Sequence, residues 1–176
     1  MKILLWIVIG LVIVAVGLAG IGLALPSHFE VRRATEINAP AEKIYRYLED
    51  PRQWARWTVW NERDPGMTVS YSGAPAGGGA KWSWESKTEG NGSMEFTRAE
   101  PNRRVEYTLF FPDFDMRSAG ALTLNPAGGA TRVTWTNAGE VGRNPATRYF
   151  ALFMDRVIGP DFEKGLANLK RLAEAP

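Results

Sequence analysis

After Met1 and Lys2, the chain runs ILLWIVIGLVIVAVGLAGIGLAL from Ile3 to Leu25 with no charged side chain inside it. Wound as a helix, this run covers roughly 34 Å, enough for a hydrocarbon core of about 30 Å. A small domain cannot bury such a helix on every side, so the chain divides into an apolar helix over residues 1–26 and a separate unit over 27–176. The apolar part of a cleavable signal is normally only about 7 to 15 residues, which favours an uncleaved single-pass transmembrane anchor. Gly22 and Ala24 stand where small residues would precede a cut, and they keep a signal sequence as the alternative. Gly10, Gly17 and Gly20 give a weak helix-pairing face without a clean GxxxG spacing. Positive residues favour the cytoplasmic side, and here Lys2 precedes the span while Arg32 and Arg33 follow it. Because the arginine pair falls within the first strand of a domain moved as a whole, that domain is expected outside the cytoplasm. The cytoplasmic orientation stays open.

Behind the anchor lie about 150 residues, the size of one domain with a single core. The whole chain has 21 basic and 19 acidic side chains for a net charge of +2. No basic block interrupts it, so nucleic acid is not an expected partner. It has no cysteine, which removes disulfides and thiol chemistry from consideration.

Residues Glu30 to Ile37 alternate loosely, as a first half-buried strand does. Pro40 suits a first helical position, and Ile44, Tyr47 and Leu48 then share a face. Asp50-Pro51-Arg52-Gln53 starts a second short helix, with Asp50 placed to accept from the Gln53 amide and Trp54 and Trp57 on one side. From Met67 to Ala138 the period becomes two: Met67/Val69/Tyr71, Ala80/Trp82/Trp84, Met94/Phe96, Val105/Tyr107/Leu109/Phe111, Leu122/Leu124 and Val133/Trp135. The turns Gly90-Asn91-Gly92, Pro101-Asn102, Pro112-Asp113 and Pro126-Ala127-Gly128-Gly129 separate these runs, as an antiparallel meander requires. Asn144 is then a candidate cap, with Pro145 behind it, for a C-terminal helix. Its stripe runs through Tyr149, Phe150, Phe153, Met154 and Val157, a kink or restart at Gly159-Pro160, and Phe162, Leu166, Leu169 and Ala173. The order is strand, two short helices, six strands and a long helix.

This order and four segments resemble the polyketide cyclase/dehydrase-like branch of the START-related SRPBCC superfamily. The segments are INAPAEKIYRYLEDPRQWARWTVW (Ile37 to Trp60), YSGAPAGGGAKWSWE (Tyr71 to Glu85), TRVTWT (Thr131 to Thr136) and IGPDFEKGLANLKRLAE (Ile158 to Glu174). The resemblance covers nearly all of the domain and none of the anchor. It implies an α+β helix-grip fold, in which a seven-stranded curved antiparallel sheet wraps a long C-terminal helix around a cavity for apolar ligands. It implies no particular reaction.

The residues themselves offer little for catalysis. The only histidine, His28, falls in a short linker of about four residues, Pro26 to Phe29, so no histidine triad or metal cluster can be assembled. No cofactor or metal is implied. Asp161 and Glu163 follow Pro160, where a first helical turn favours negative charge, and capping explains them better than proton transfer. Glu140 is a further carboxylate near the C-terminal helix, and Asp155 falls beside the apolar stripe, where solvent exposure is the simpler reading and a reach to a rim arginine the alternative. Gly73 to Lys81 is glycine-rich but leads into a strand rather than a helix, so it is a loop between strands and not a phosphate cradle. It is either a lid or a plain surface connection.

The aromatic load is the distinctive feature, with Trp54, Trp57, Trp60, Tyr71, Trp82, Trp84, Phe96, Tyr107, Trp135, Phe150 and Phe153 on predicted inward faces. Most such residues fill a core. Together with Met94 and Met154, all of them except Trp54 are the candidate ligand-binding residues, and Arg98, Ser118 and Asn137 are the candidate polar groups on the same parity. The leading expectation is a non-catalytic domain that binds a hydrophobic small molecule or lipid beside the membrane. A cyclase or dehydratase, with Arg98 or a carboxylate assisting proton transfer, is the alternative. A protein-interaction module is the third reading, and it would fill its cup with its own side chains.

Overall fold

The alternation over residues 28–140 forms a single antiparallel sheet in the computed structural model, which describes residues 2–141 and 145–176. The strands are β1 (His28–Ile37), β2 (Thr68–Gly73), β3 (Ala80–Glu85), β4 (Gly92–Glu100), β5 (Arg104–Phe111), β6 (Met116–Ala127) and β7 (Ala130–Glu140). Their order is β1-β7-β6-β5-β4-β3-β2. From β2 to β7 the sheet is therefore a meander, and β1 adds at the far edge beside β7. Three short helices carry the chain from one edge to the other: α2 (Ala41–Leu48), α3 (Pro51–Trp54) and α4 (Trp60–Arg63). The first helix, α1 (Lys2–Ala24), precedes this unit, and α5 (Pro145–Ala151) and α6 (Met154–Glu174) follow it. This is the expected α+β helix-grip arrangement, with a seven-stranded curved sheet around a long C-terminal helix.

The core follows from the strand pleat and one helical stripe. Val31, Ile37, Phe96, Val105, Leu122, Val133 and Trp135 face inward from the sheet, and Phe162, Leu166, Leu169 and Ala173 face them from α6. Arg33 fastens the edge strand to the same helix, with Nη1 2.7 Å from Asp155 Oδ1 and Nε 2.6 Å from Glu163 Oε1. Asp155 thus takes the alternative of an arginine partner rather than standing free, and Glu163, expected as a capping group, joins it in holding β1 to α6.

Several local expectations shift. Strand β1 starts at His28, which pairs with Glu140 instead of lying in a linker. In α2 the buried face is Ala41, Ile44, Tyr45 and Leu48; Tyr47 lies at its edge, half-buried. Asp50 caps α3 through the Arg52 amide rather than that of Gln53. The C-terminal helix breaks between Ala151 and Met154, whereas Gly159 and Pro160 lie inside α6. Gly159 leaves room for the Arg33 guanidinium, since a Cβ there would come 2.0 Å from Arg33 Nη2 and displace it. Pro160 removes one helical hydrogen bond without ending the helix. The candidate cap Asn144 lies outside the described residues. Within Gly73 to Lys81, residues 74–79 form the loop joining β2 to β3, pinned at Gly77 N to Glu49 O (2.8 Å) and Gly79 N to Phe96 O (2.7 Å), and the segment does not line the main cavity.

Candidate functional site

The aromatic residues separate into those that fill the fold and those that surround a space. Trp54 is the hub of the filled part and also reaches the cavity wall, with ring centroids 4.9 Å from Trp57, 5.4 Å from Trp82, 5.5 Å from Phe96 and 5.9 Å from Trp135. Trp135 stacks on Phe162 at 3.8 Å. The indole N–H groups are satisfied within the domain: Trp54 Nε1 donates to Leu48 O, Trp57 Nε1 to Tyr47 O and Trp135 Nε1 to Tyr107 Oη. Trp57, Phe96 and Trp135 are buried here and do not line the cavity, so three of the expected binding residues are packing residues instead.

Beside this cluster lies a cavity of about 250 Å³ between the sheet, α3, α4 and the first turns of α6. Trp60, Tyr71, Trp82, Trp84, Met94, Tyr107 and Met154 supply wall from the expected set, and Ser118 and Asn137 add polar groups. Trp84 can lie flat because it crosses Gly92 on the neighbouring strand, where a Cβ would meet its ring at 2.2 Å. Tyr107 crosses Gly120 in the same manner.

Asn137 sits on β7 between Val31 and Gly120, 3 % exposed. Its Oδ1 has no hydrogen-bond partner among the described residues. Ser118 is its diagonal neighbour on β6 and is also buried. Tyr107 Oη is engaged with Trp135 and with Thr136 O at 3.3 Å. Burial pushes its phenol well above the ordinary range, against a smaller opposing effect of the Trp135 N–H, so it is a neutral group at any physiological pH.

Three other expected residues lie elsewhere. Arg98 points out, 65 % exposed at its side chain and 2.7 Å from Glu100. The cause is a register shift between Phe96 and Arg98: one extra residue in the strand reverses the parity beyond it. Phe150 and Phe153 are exposed as well, because the segment before Met154 leaves the sheet and packs toward α1.

Sequence reasoning also missed part of the wall. Phe29, Leu109 and Phe111 share the inward parity of named neighbours and were within reach of that argument. The ionisable trio at one side of the cavity was not. Arg63 holds Asp161 through two hydrogen bonds of 2.8 and 2.7 Å and Glu89 through one of 2.8 Å. Although partial burial opposes its charge, Asp161 and Glu89 keep Arg63 above its ordinary value. Helix α4, a β3–β4 turn and α6 meet there, and no local pattern relates them.

A family model described as polyketide cyclase / dehydrase and lipid transport matches residues 28–174. The chain belongs to that family. No curated protein matches it by sequence. Among solved structures, a protein from Thermobifida fusca is similar over 81 % of this chain and 92 % of its own at 21 % identity, with a TM-score of 0.63. Truncated norcoclaurine synthase from Thalictrum flavum is 10 % identical with a TM-score of 0.63, over 85 % of this chain and 95 % of its own. The di-domain ARO/CYC BexL is 16 % identical with a TM-score of 0.60, over 85 % of this chain and 51 % of its own. These likenesses establish the fold of the family member, and the cavity just described lies inside that fold.

Proposed function

We propose that residues 27–176 are a binding domain for a predominantly apolar small molecule or lipid, held beside a membrane by α1. The carrying observation is an apolar cavity lined by the buried Asn137 amide, whose oxygen has no partner among the described residues. An apolar cavity of about 150 Å³ already admits benzene, so this one takes on the order of ten non-hydrogen atoms, with the rest of a longer molecule projecting from the mouth. Leaving Asn137 Oδ1 without a partner costs roughly 1–3 kcal/mol, and a ligand hydroxyl reaching Asn137 and Ser118 would recover it. Since an amide offers both a donor and an acceptor, the argument does not depend on which way it is turned. The family description includes lipid transport, and the apolar run is long enough to span. We place the domain outside the cytoplasm on the charge argument given above.

Purification of the full chain in mild detergent, followed by extraction and mass spectrometry, tests this reading. A stoichiometric apolar molecule, displaced by N-phenyl-1-naphthylamine, is expected. Its absence together with no binding of that probe would overturn the proposal.

A cyclase or dehydratase is the second reading, favoured by the Arg63–Asp161–Glu89 trio on the cavity wall. It requires turnover of an aromatic or polyketide-like substrate that is lost in Asp161→Asn.

A further inference from the structure

Outside α1, every exposed large apolar side chain among the described residues except Tyr71 on β2 lies at one end of the molecule. Phe114 is 74 % exposed, Phe150 68 %, Val157 66 %, Phe153 50 % and Leu152 49 %. Phe114 caps the β5–β6 turn between the cavity-lining residues Phe111 and Met116, and Val157 is itself part of the cavity wall. The sheet register puts all of this on one side: Arg117 pairs with Glu140, and Glu140 with His28, so the β5–β6 turn lies at the end where β1 leaves the anchor. Water contact for so much apolar surface at one end, next to the cavity-lining Phe111, Met116 and Val157, is the pattern of an interaction site.

What covers it is set by α1. Helix α5 lies directly on the last turns of that helix, at Gly22, where a Cβ would come 2.8 Å from the Pro145 Cβ. Tyr149 Oη donates to Leu18 O at 2.6 Å, and Arg148 Nη1 donates to Leu23 O and Leu25 O. Leu18 stands about 10 Å along the axis from Leu25, which matches the roughly 5–10 Å to which interfacial segments enter a bilayer. A tyrosine and an arginine at this level are the usual residues of a membrane interface.

We propose that the cavity opens into the bilayer interface, with Phe114, Phe150, Leu152, Phe153 and Val157 forming a collar seated among the headgroups and upper acyl chains beside α1. An apolar ligand then passes between membrane and cavity without crossing water. The proposal rests on the reading of α1 as a span, and on ligand binding only for the passage step.

The chain has no cysteine, so single cysteines can report position in the full protein reconstituted into vesicles of three parts phosphatidylcholine and one part phosphatidylglycerol. Bimane attached at Phe114→Cys, Phe150→Cys or Phe153→Cys is expected to be quenched by lipid-borne nitroxide and shielded from aqueous iodide. Bimane at Arg103→Cys, at the opposite end of the sheet, is expected to show the reverse. Collar labels that behave as the Arg103 label does overturn the proposal. So does shielding that depends on protein concentration and not on lipid nitroxide, which would mark a second copy or another protein on this face.

The double variant Phe150→Ser/Phe153→Ser tests the passage step. Transfer of N-phenyl-1-naphthylamine from vesicles into the cavity should slow by roughly tenfold, while its affinity in detergent micelles stays the same. An unchanged transfer rate overturns the passage step. If the unaltered protein fails to bind the probe in micelles, ligand binding falls, while the collar stands or falls on the quenching alone.

Discussion

Asn137 concentrates the functional argument in one amide. Asn137→Leu removes a buried polar group that lacks a partner, so it should leave the protein equally stable or more stable by up to about 1–3 kcal/mol. At the same time it should cost affinity for a hydroxylated apolar probe such as 1-naphthol but not for naphthalene. Thermal unfolding and paired titrations measure the two effects, and equal losses for both probes would argue against the polar-end assignment. Gly120 offers a structural counterpart, since a Cβ there would come 2.3 Å from the Tyr107 ring and 2.4 Å from Thr136 O. Because backbone blocks one direction of relief, Gly120→Ala should destabilise by about 1–3 kcal/mol, read from chemical denaturation. At this scale parity was a good guide wherever the pleat is regular: Trp82, Trp84, Met94, Tyr107, Ser118 and Asn137 all turn inward as alternation requires. It failed at Arg98, one residue past the bulge, because nothing in the local residue pattern marks a two-against-one pairing. It could not separate wall from filling either, since whether Trp57 or Trp60 meets the space depends on how rings from three elements pack together.

The order of elements, the meander and the long α6 were legible because period two and period 3.6 persist over many residues, while the pairing of β1 with β7, α4 and the α5–α6 break were not. Four residues carry little periodic signal, and the break arises because α5 and α6 serve different neighbours, α1 and the sheet. The ion pairs joining β1 to α6 are a tertiary consequence of that packing. The hydrogen bond from Arg33 holds the Asp155 carboxyl below its ordinary range. A depressed folded value means that the contribution to stability is complete above the unfolded value of about 3.9 and is lost as the pH falls through the folded one. Asp155→Asn should therefore lower the melting temperature at neutral pH, with the difference from the unaltered protein shrinking as the pH is taken below about 4. A difference that stays constant across that range would assign the effect to packing and not to charge.

For the molecule as a whole, binding and stability are one equilibrium. A ligand held only by the folded cavity stabilises by about 2.7 kcal/mol at a hundred times its dissociation constant, and a domain of about 150 residues gains roughly 2–4 °C per kcal/mol. Saturating the full chain in micelles with a hydroxylated apolar ligand should therefore raise its melting point by about 5–11 °C. In Trp84→Ala, where part of the cavity wall is gone, the same addition should give a smaller rise even though the unliganded variant still melts cooperatively. Helix α1 bears on the same equilibrium through geometry. Only Leu25, Pro26 and Ser27 lie between α1 and β1, and α5 returns to touch α1, so if α1 spans a bilayer as we propose, the domain is held beside it by two connections instead of one. Ligand drawn from lipid should reach the cavity of the full chain at total concentrations where a freely diffusing domain stays empty, because tethering raises the local concentration without adding a contact. Comparing the melting shift in vesicles preloaded with ligand against the same total ligand added to micelles measures that advantage. Equal shifts at equal mole fraction of ligand in the apolar phase would mean that α1 contributes location but no gain in occupancy.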